Sequence, residues 1–173
     1  MARLEKKRIA CAFLSVLLAC GLANAFFIEK GGAGVAREYT WTDMRGPGNG
    51  DALALAYATE RQELYRGTNR GVWAFKRSDV KWEELGGTVS GFVVTSLAWS
   101  GSMLYAGTRE HGVWRYDPGT GKWTDTGGGV SGFSVFSLAW DGDHLYAGFD
   151  SHGVWRYDPG TGKWTDTGGG VSG

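Results

Sequence analysis

Cysteine is nearly missing from this chain. Its 173 residues include two, Cys11 and Cys20, and both fall within the first 28. No disulfide or thiol chemistry can therefore serve the rest of the molecule, whose stability must come from packing. Histidine is scarce as well. His111 and His152 recur in one loop phase, but no Asp, Glu or Cys series accompanies them at zinc spacing. Asp141-Gly-Asp143 lacks the further oxygen ligands of a calcium loop, and a hairpin turn explains it. Charge of one sign is missing too. The formal charge is zero, and residues 1–25 hold four basic side chains against one acidic. Residues 26–173 carry 14 basic and 17 acidic side chains, a net of −3. No basic stripe or basic-aromatic platform is present, so nucleic acid has no electrostatic foothold.

Long apolar runs are confined to the start. Arg3, Lys6, Lys7 and Arg8 precede an apolar stretch at 9–22, and Ala23-Asn24-Ala25 is a small-x-small cleavage site. Residues 1–25 read as a signal peptide and 26–36 as a linker. Two alternatives stand beside cleavage. The run ending at Cys20 resembles a bacterial lipobox, which would make Cys20 a lipidated first residue. Residues 9–28 could also stay as an uncleaved anchor. All three readings place the remainder outside the cytoplasm, in the periplasm, at the cell surface or secreted.

Glycine and aromatics are abundant, and they are periodic. Residues 111–132 (HGVWRYDPGTGKWTDTGGGVSG) recur without change as residues 152–173, 41 positions later. Trp73, Trp114 and Trp155 keep that period, as do Trp41, Trp82, Trp123 and Trp164. Trp99 and Trp140 form a third series, with Tyr57 near its phase. Each repeat reads as four short strands. An apolar run (VFSLAW, 135–140) meets an Asp-Gly hairpin, followed by HLYAG, GVWRY, a Pro-Gly-Thr-Gly turn and KWTD. Four strands in about 40–45 residues is the size of one β-propeller blade, which needs neighbours to cover its faces. The expected fold is thus all-β, a partial propeller spanning 37–173. It has a closing strand at 37–44 (Trp41-Thr42-Asp43 repeating Trp123-Thr124-Asp125) and blades near 48–88, 89–129 and 130–170. Propellers typically have four to eight blades. Three would leave two open flanks, so the chain reads as a fragment of a longer protein or as one sector of an oligomeric ring.

The segments SLAWDG (137–142), LYAG (145–148) and GVWRYDPGTGK (153–163) together resemble the two-component regulator propeller repeat. That resemblance implies the extracytoplasmic sensor part of a regulator, although such repeats also occur in secreted proteins. Kelch repeats are similar at residues 157–164 but carry a Gly-Gly doublet where this chain has Ala147-Gly148. Asp-box repeats of sialidase-like propellers are similar too, but Arg156 stands in the serine place.

Candidate sites emerge from what varies. The tryptophans all sit at repeating phases, so blade packing explains them better than sugar stacking. Asp117/Asp158, Asp125/Asp166 and Arg115/Arg156 recur, which suits turns and strands and not a unique active site. No catalytic residue, metal or cofactor is assigned, and no enzyme is expected. Of the 20 aligned pairs from Phe92/Phe133 to His111/His152, eight differ. They cluster in the first strand, the first hairpin and the loop before the third strand. That loop gives the candidate binding residues Thr108, Arg109, Glu110 and His111, with Phe149, Asp150, Ser151 and His152 at the same phase. Drift in solvated loops is the competing and weightier account. The expected partner is an unidentified ligand, a glycan or a protein. Membrane contact is expected only through the N-terminal segment, and self-association through open flanks. A secreted lectin-like ring is the alternative function; a sialidase-like or lyase-like enzyme ranks behind it.

Overall fold

The computed structural model describes residues 51–168. Residues 1–50 and 169–173 lie outside the described residues, and with them the expected leader with Cys20, the expected linker, the expected closing strand 37–44 with Trp41 and the start of the expected first blade.

Among the described residues, twelve strands form three four-stranded antiparallel sheets. The first contains β1 (Ala54–Ala58), β2 (Glu63–Thr68), β3 (Gly71–Lys76) and β4 (Lys81–Glu84). A single 3-10 turn, Gly87–Val89, leads to the second, with β5 (Val94–Trp99), β6 (Leu104–Thr108), β7 (Val113–Asp117) and β8 (Lys122–Asp125). The third contains β9 (Val135–Trp140), β10 (Leu145–Phe149), β11 (Gly153–Asp158) and β12 (Lys163–Asp166). Within each sheet spatial order follows chain order, the up-and-down arrangement of a propeller blade. The chain is a partial β-propeller.

The turns explain themselves from the side chains that close them. Asp117 and Asp158 accept the amides of Gly119 and Gly160, and Asp141 accepts those of Asp143 and His144. Asp125 and Asp166 accept Gly127 and Gly168 amides in the exits from β8 and β12. The recurring carboxylates are therefore turn-builders.

Two apolar clusters sit between sheets. One joins Tyr65, Val72 and Ala74 of the first blade to Val94, Leu104 and Ala106 of the second. The other joins Ala98, Tyr105 and Val113 of the second to Val135, Leu145, Ala147 and Phe149 of the third. The aromatics repeat in step. Tyr65 stacks on Trp99 at 5.8 Å, and Tyr105 stacks on Trp140 at 6.1 Å, each a tyrosine of one blade against a tryptophan of the next. Trp82, Trp123 and Trp164 tilt against Phe75, Tyr116 and Tyr157 within their own blades. Every described tryptophan is buried or half-buried.

Candidate functional site

The loops between β6 and β7 and between β10 and β11 share one end of the sheets with the interblade connections. Backbone bonds tie the two together. Arg109 N–H donates to Val93 O and Asp150 N–H to Ser134 O, both at 2.9 Å. Gly112 N–H donates to Phe133 O at 3.0 Å, as Gly71 does to Phe92 O at 2.9 Å. The histidines lock the loops from within. His111 stacks on Phe92 at 4.0 Å and His152 on Phe133 at 3.8 Å. The Nδ1 of His111 lies 2.8 Å from the Arg109 carbonyl. A carbonyl only accepts, so Nδ1 carries the proton. The indoles of Trp114 and Trp155 donate to the His111 and His152 carbonyls. These imidazoles are loop struts.

The eight sequence candidates divide. Thr108 is fully buried at the end of β6, where its hydroxyl donates to Gly112 O at 2.7 Å. Phe149 is buried at the end of β10, against Phe133 and Trp164. Both were expected in binding loops; both face inward because they are the last residues of their strands, on the side that meets the neighbouring blade. Arg109, Glu110 and His111 are exposed, as are Asp150, Ser151 and His152. The loop tips are Glu110 and Ser151, held at φ +64° and +56° although neither is glycine. One repeat difference has a local cause. Ser134, where the second blade has Val93, accepts the Glu110 amide through its hydroxyl at 3.2 Å. The first blade's loop is one residue shorter, so Val93 has no such amide to serve.

The opposite end of the first two blades holds a second site. The β1–β2 turn carries Arg61 and Gln62, and Gln62 sits at φ +53°. Arg61 grips Glu63 with Nε at 2.8 Å and Nη2 at 3.3 Å, and the Tyr65 hydroxyl donates to the same carboxylate at 2.7 Å. Burial works against the Glu63 charge, but the Arg61 and Tyr65 hydrogen bonds prevail and hold its carboxyl below the ordinary value. Burial pushes the Tyr65 hydroxyl well up. Lys76 and Lys81 both reach Glu83, at 3.1 and 2.8 Å. Arg61, Gln62, Glu63, Lys76, Arg77 and Ser78 line a cavity of about 290 Å³. A second cavity of about 280 Å³ shares Arg61, Glu63 and Lys76 and continues to Tyr116 of the second blade.

The signal for this site lies in the first repeat. Lys76 stands at the phase of Asp117 and Asp158, and Arg77-Ser-Asp-Val80 replaces Pro-Gly-Thr-Gly. The contrast between the second and third repeats, which picked out the rim loops, does not reach it.

Stacked four-stranded sheets with pinned loop tips at one end define a propeller sector. Comparison with solved structures agrees. The chain is similar to the extracellular domain of BT4673 from B. thetaiotaomicron, described in one structure as a one-component and in another as a hybrid two-component system. Identities are 25% and 24% and TM-scores 0.58 and 0.59, over 72% and 70% of this chain and 18% and 17% of those chains. It spans about a fifth of that domain's length. It is also similar to the computationally designed Ika4 protein, at 17% identity and TM-score 0.57, over 73% of this chain and 78% of that one. No family model and no curated protein matches the chain.

Proposed function

We propose that the chain is an extracytoplasmic propeller recognition module, the ligand-facing part of a sensor of the two-component type, acting by binding and without catalysis. The observation that carries this reading is the loop rim. One scaffold of Phe, His and Trp is repeated unchanged in the second and third blades, and it holds different exposed tips, Arg109-Glu110 in one and Asp150-Ser151 in the other. Residues held outside their preferred backbone region cluster where function needs a fixed shape. Loops carrying varied residues on a rigid frame are the usual location of binding. The extracellular neighbour supports the location, as does the leader-like start of the sequence.

Two experiments test it. A β-lactamase fused after Gly173 should protect a bacterial host from ampicillin, because the reporter acts only outside the cytoplasm; a sensitive host producing intact fusion would overturn the location. An array of oligosaccharides and extracellular proteins, probed with the purified protein, should yield binders that Arg109→Ala or Asp150→Ala weakens. Retention of every binder by both folded variants would overturn the rim.

A further inference from the structure

We propose that the cavity between the β1–β2 and β3–β4 turns of the first blade binds a small hydroxylated carboxylate through Arg61, Lys76 and Arg77. It lies at the opposite end of the sheets from the rim and stands independently of it.

The charge balance comes first. Three cations line the 290 Å³ cavity against one carboxylate, Glu63. That carboxylate is already neutralised by Arg61 and further occupied by Tyr65. Lys76 is shared with Glu83 at 3.1 Å, so the positive charge left over rests on Arg77, which has no partner among the described residues, within residues 26–173 whose balance is negative. The cations are reachable, since the Arg61 and Lys76 side chains are 40% and 41% exposed. Arg77 is exposed and makes no hydrogen bond or ion pair among the described residues. A guanidinium matches a carboxylate with parallel N–H donors, and an ammonium adds a point charge beside it.

Size and polarity narrow the ligand. Small-molecule pockets run from roughly 300 Å³ upward, so this cavity takes one small molecule and not a chain segment. Gln62 and Ser78 add neutral hydrogen-bonding groups to its wall, and Tyr116 adds a hydroxyl in the adjoining chamber. Neutral donors and acceptors interleaved with cations suit hydroxyl groups beside the acid.

The backbone marks the same place. Gln62 and Val80, in the two flanking turns, are held at φ +53° and +52°. Val80 occupies the phase of Gly121 and Gly162, both at φ +69°. A β-branched residue in that region is strained, and the equivalent turns show that the repeat can be built without the strain. Packing does not demand Val80 there, since its side chain is 77% exposed. The equivalent turns close on Asp117 and Asp158, at whose repeat phase Lys76 stands here. The first blade thus gives up a turn-closing acid and gains a cationic wall.

Calorimetric titration of the purified protein with D-glucuronate tests the proposal, with D-glucose and inorganic phosphate as comparison probes. Saturable binding of glucuronate is expected, with none for glucose. Arg77→Ala and Lys76→Gln should each weaken it about tenfold, the loss of one charge-assisted contact. Arg109→Ala, at the rim, should leave it unchanged. Arg77 is exposed and unpaired, so its removal leaves the fold intact, and circular dichroism verifies this. No saturable binding at millimolar glucuronate would overturn the proposal, as would unchanged affinity in both variants. Tighter binding of phosphate than of glucuronate would overturn the carboxylate assignment.

Discussion

Gly107 and Gly148 occupy the same phase of consecutive repeats, 41 residues apart, in LYAG segments of identical sequence. Neither has a positive φ, so replacing either by alanine imposes no backbone penalty and tests packing alone. At Gly107 an added Cβ would lie 2.5 Å from Val135 Cγ1, 2.9 Å from Val135 Cβ and 2.3 Å from Ser96 Oγ. Carbon atoms pack at about 3.5–4.0 Å, so the second and third blades must part by an ångström or more locally. Overpacking of that degree costs about 2–3 kcal/mol. At Gly148 the added Cβ meets only the Ser137 hydroxyl at 2.6 Å, which can rotate away. There the cost should stay below about 1 kcal/mol. With a urea m-value of roughly 2 kcal/mol/M, Gly107→Ala should lower the unfolding midpoint by about 1 M and Gly148→Ala by less than half of that. Val135→Ala in the Gly107→Ala background should recover part of the loss, with a coupling of about 1 kcal/mol. Equal midpoint shifts for the two glycines, or strict additivity in the double variant, would refute the close packing of β9 on β6.

Val80→Gly should raise stability by about 1 kcal/mol, because glycine occupies the positive-φ region without the penalty valine suffers; a thermal melt with no rise, or a fall, would contradict the strain. Thr126→Val should cost about 1–3 kcal/mol, since the buried Trp164 indole N–H donates to the Thr126 hydroxyl at 3.1 Å and would be left unpaired. By contrast, Trp123→Phe should cost less than Trp164→Phe in matched urea melts, as the Trp123 N–H has no hydrogen-bond partner among the described residues; Leu85 stands there at the Thr126 phase. The Glu63 carboxyl is held below its ordinary value of 4.5 in the folded state, so its stabilising contribution is full above that value and is lost as pH falls through the folded one. Glu63→Gln should therefore lose stability near neutral pH and show a shallower decline than the parent between pH 5 and the acid limb, checked by urea midpoints across that range.

Much of this molecule is local and could be read from the chain. A 41-residue period, Asp-Gly and Pro-Gly-Thr-Gly turns and alternating apolar residues identify four strands per blade, because turn chemistry and strand alternation act between near neighbours. The tryptophan phases were legible as packing for the same reason. The loop tips Arg109, Glu110, Asp150 and Ser151 could be found by comparing repeats, but Thr108 and Phe149 could not be told from them, since a strand's last residue and a loop's first look alike in sequence. The cationic cavity was harder still, because Arg61 and the Lys76-Arg77 pair lie in different turns and meet only when the strands of the first blade pair into one sheet. Burial was decided by the tertiary structure alone. Val113 and Val154 sit in identical 22-residue stretches, yet Val113 is fully buried and Val154 is 46% exposed. The sequence determines which face of a strand is apolar; whether that face meets another blade depends on which sheet lies beside it, and no residue carries that information within its own repeat.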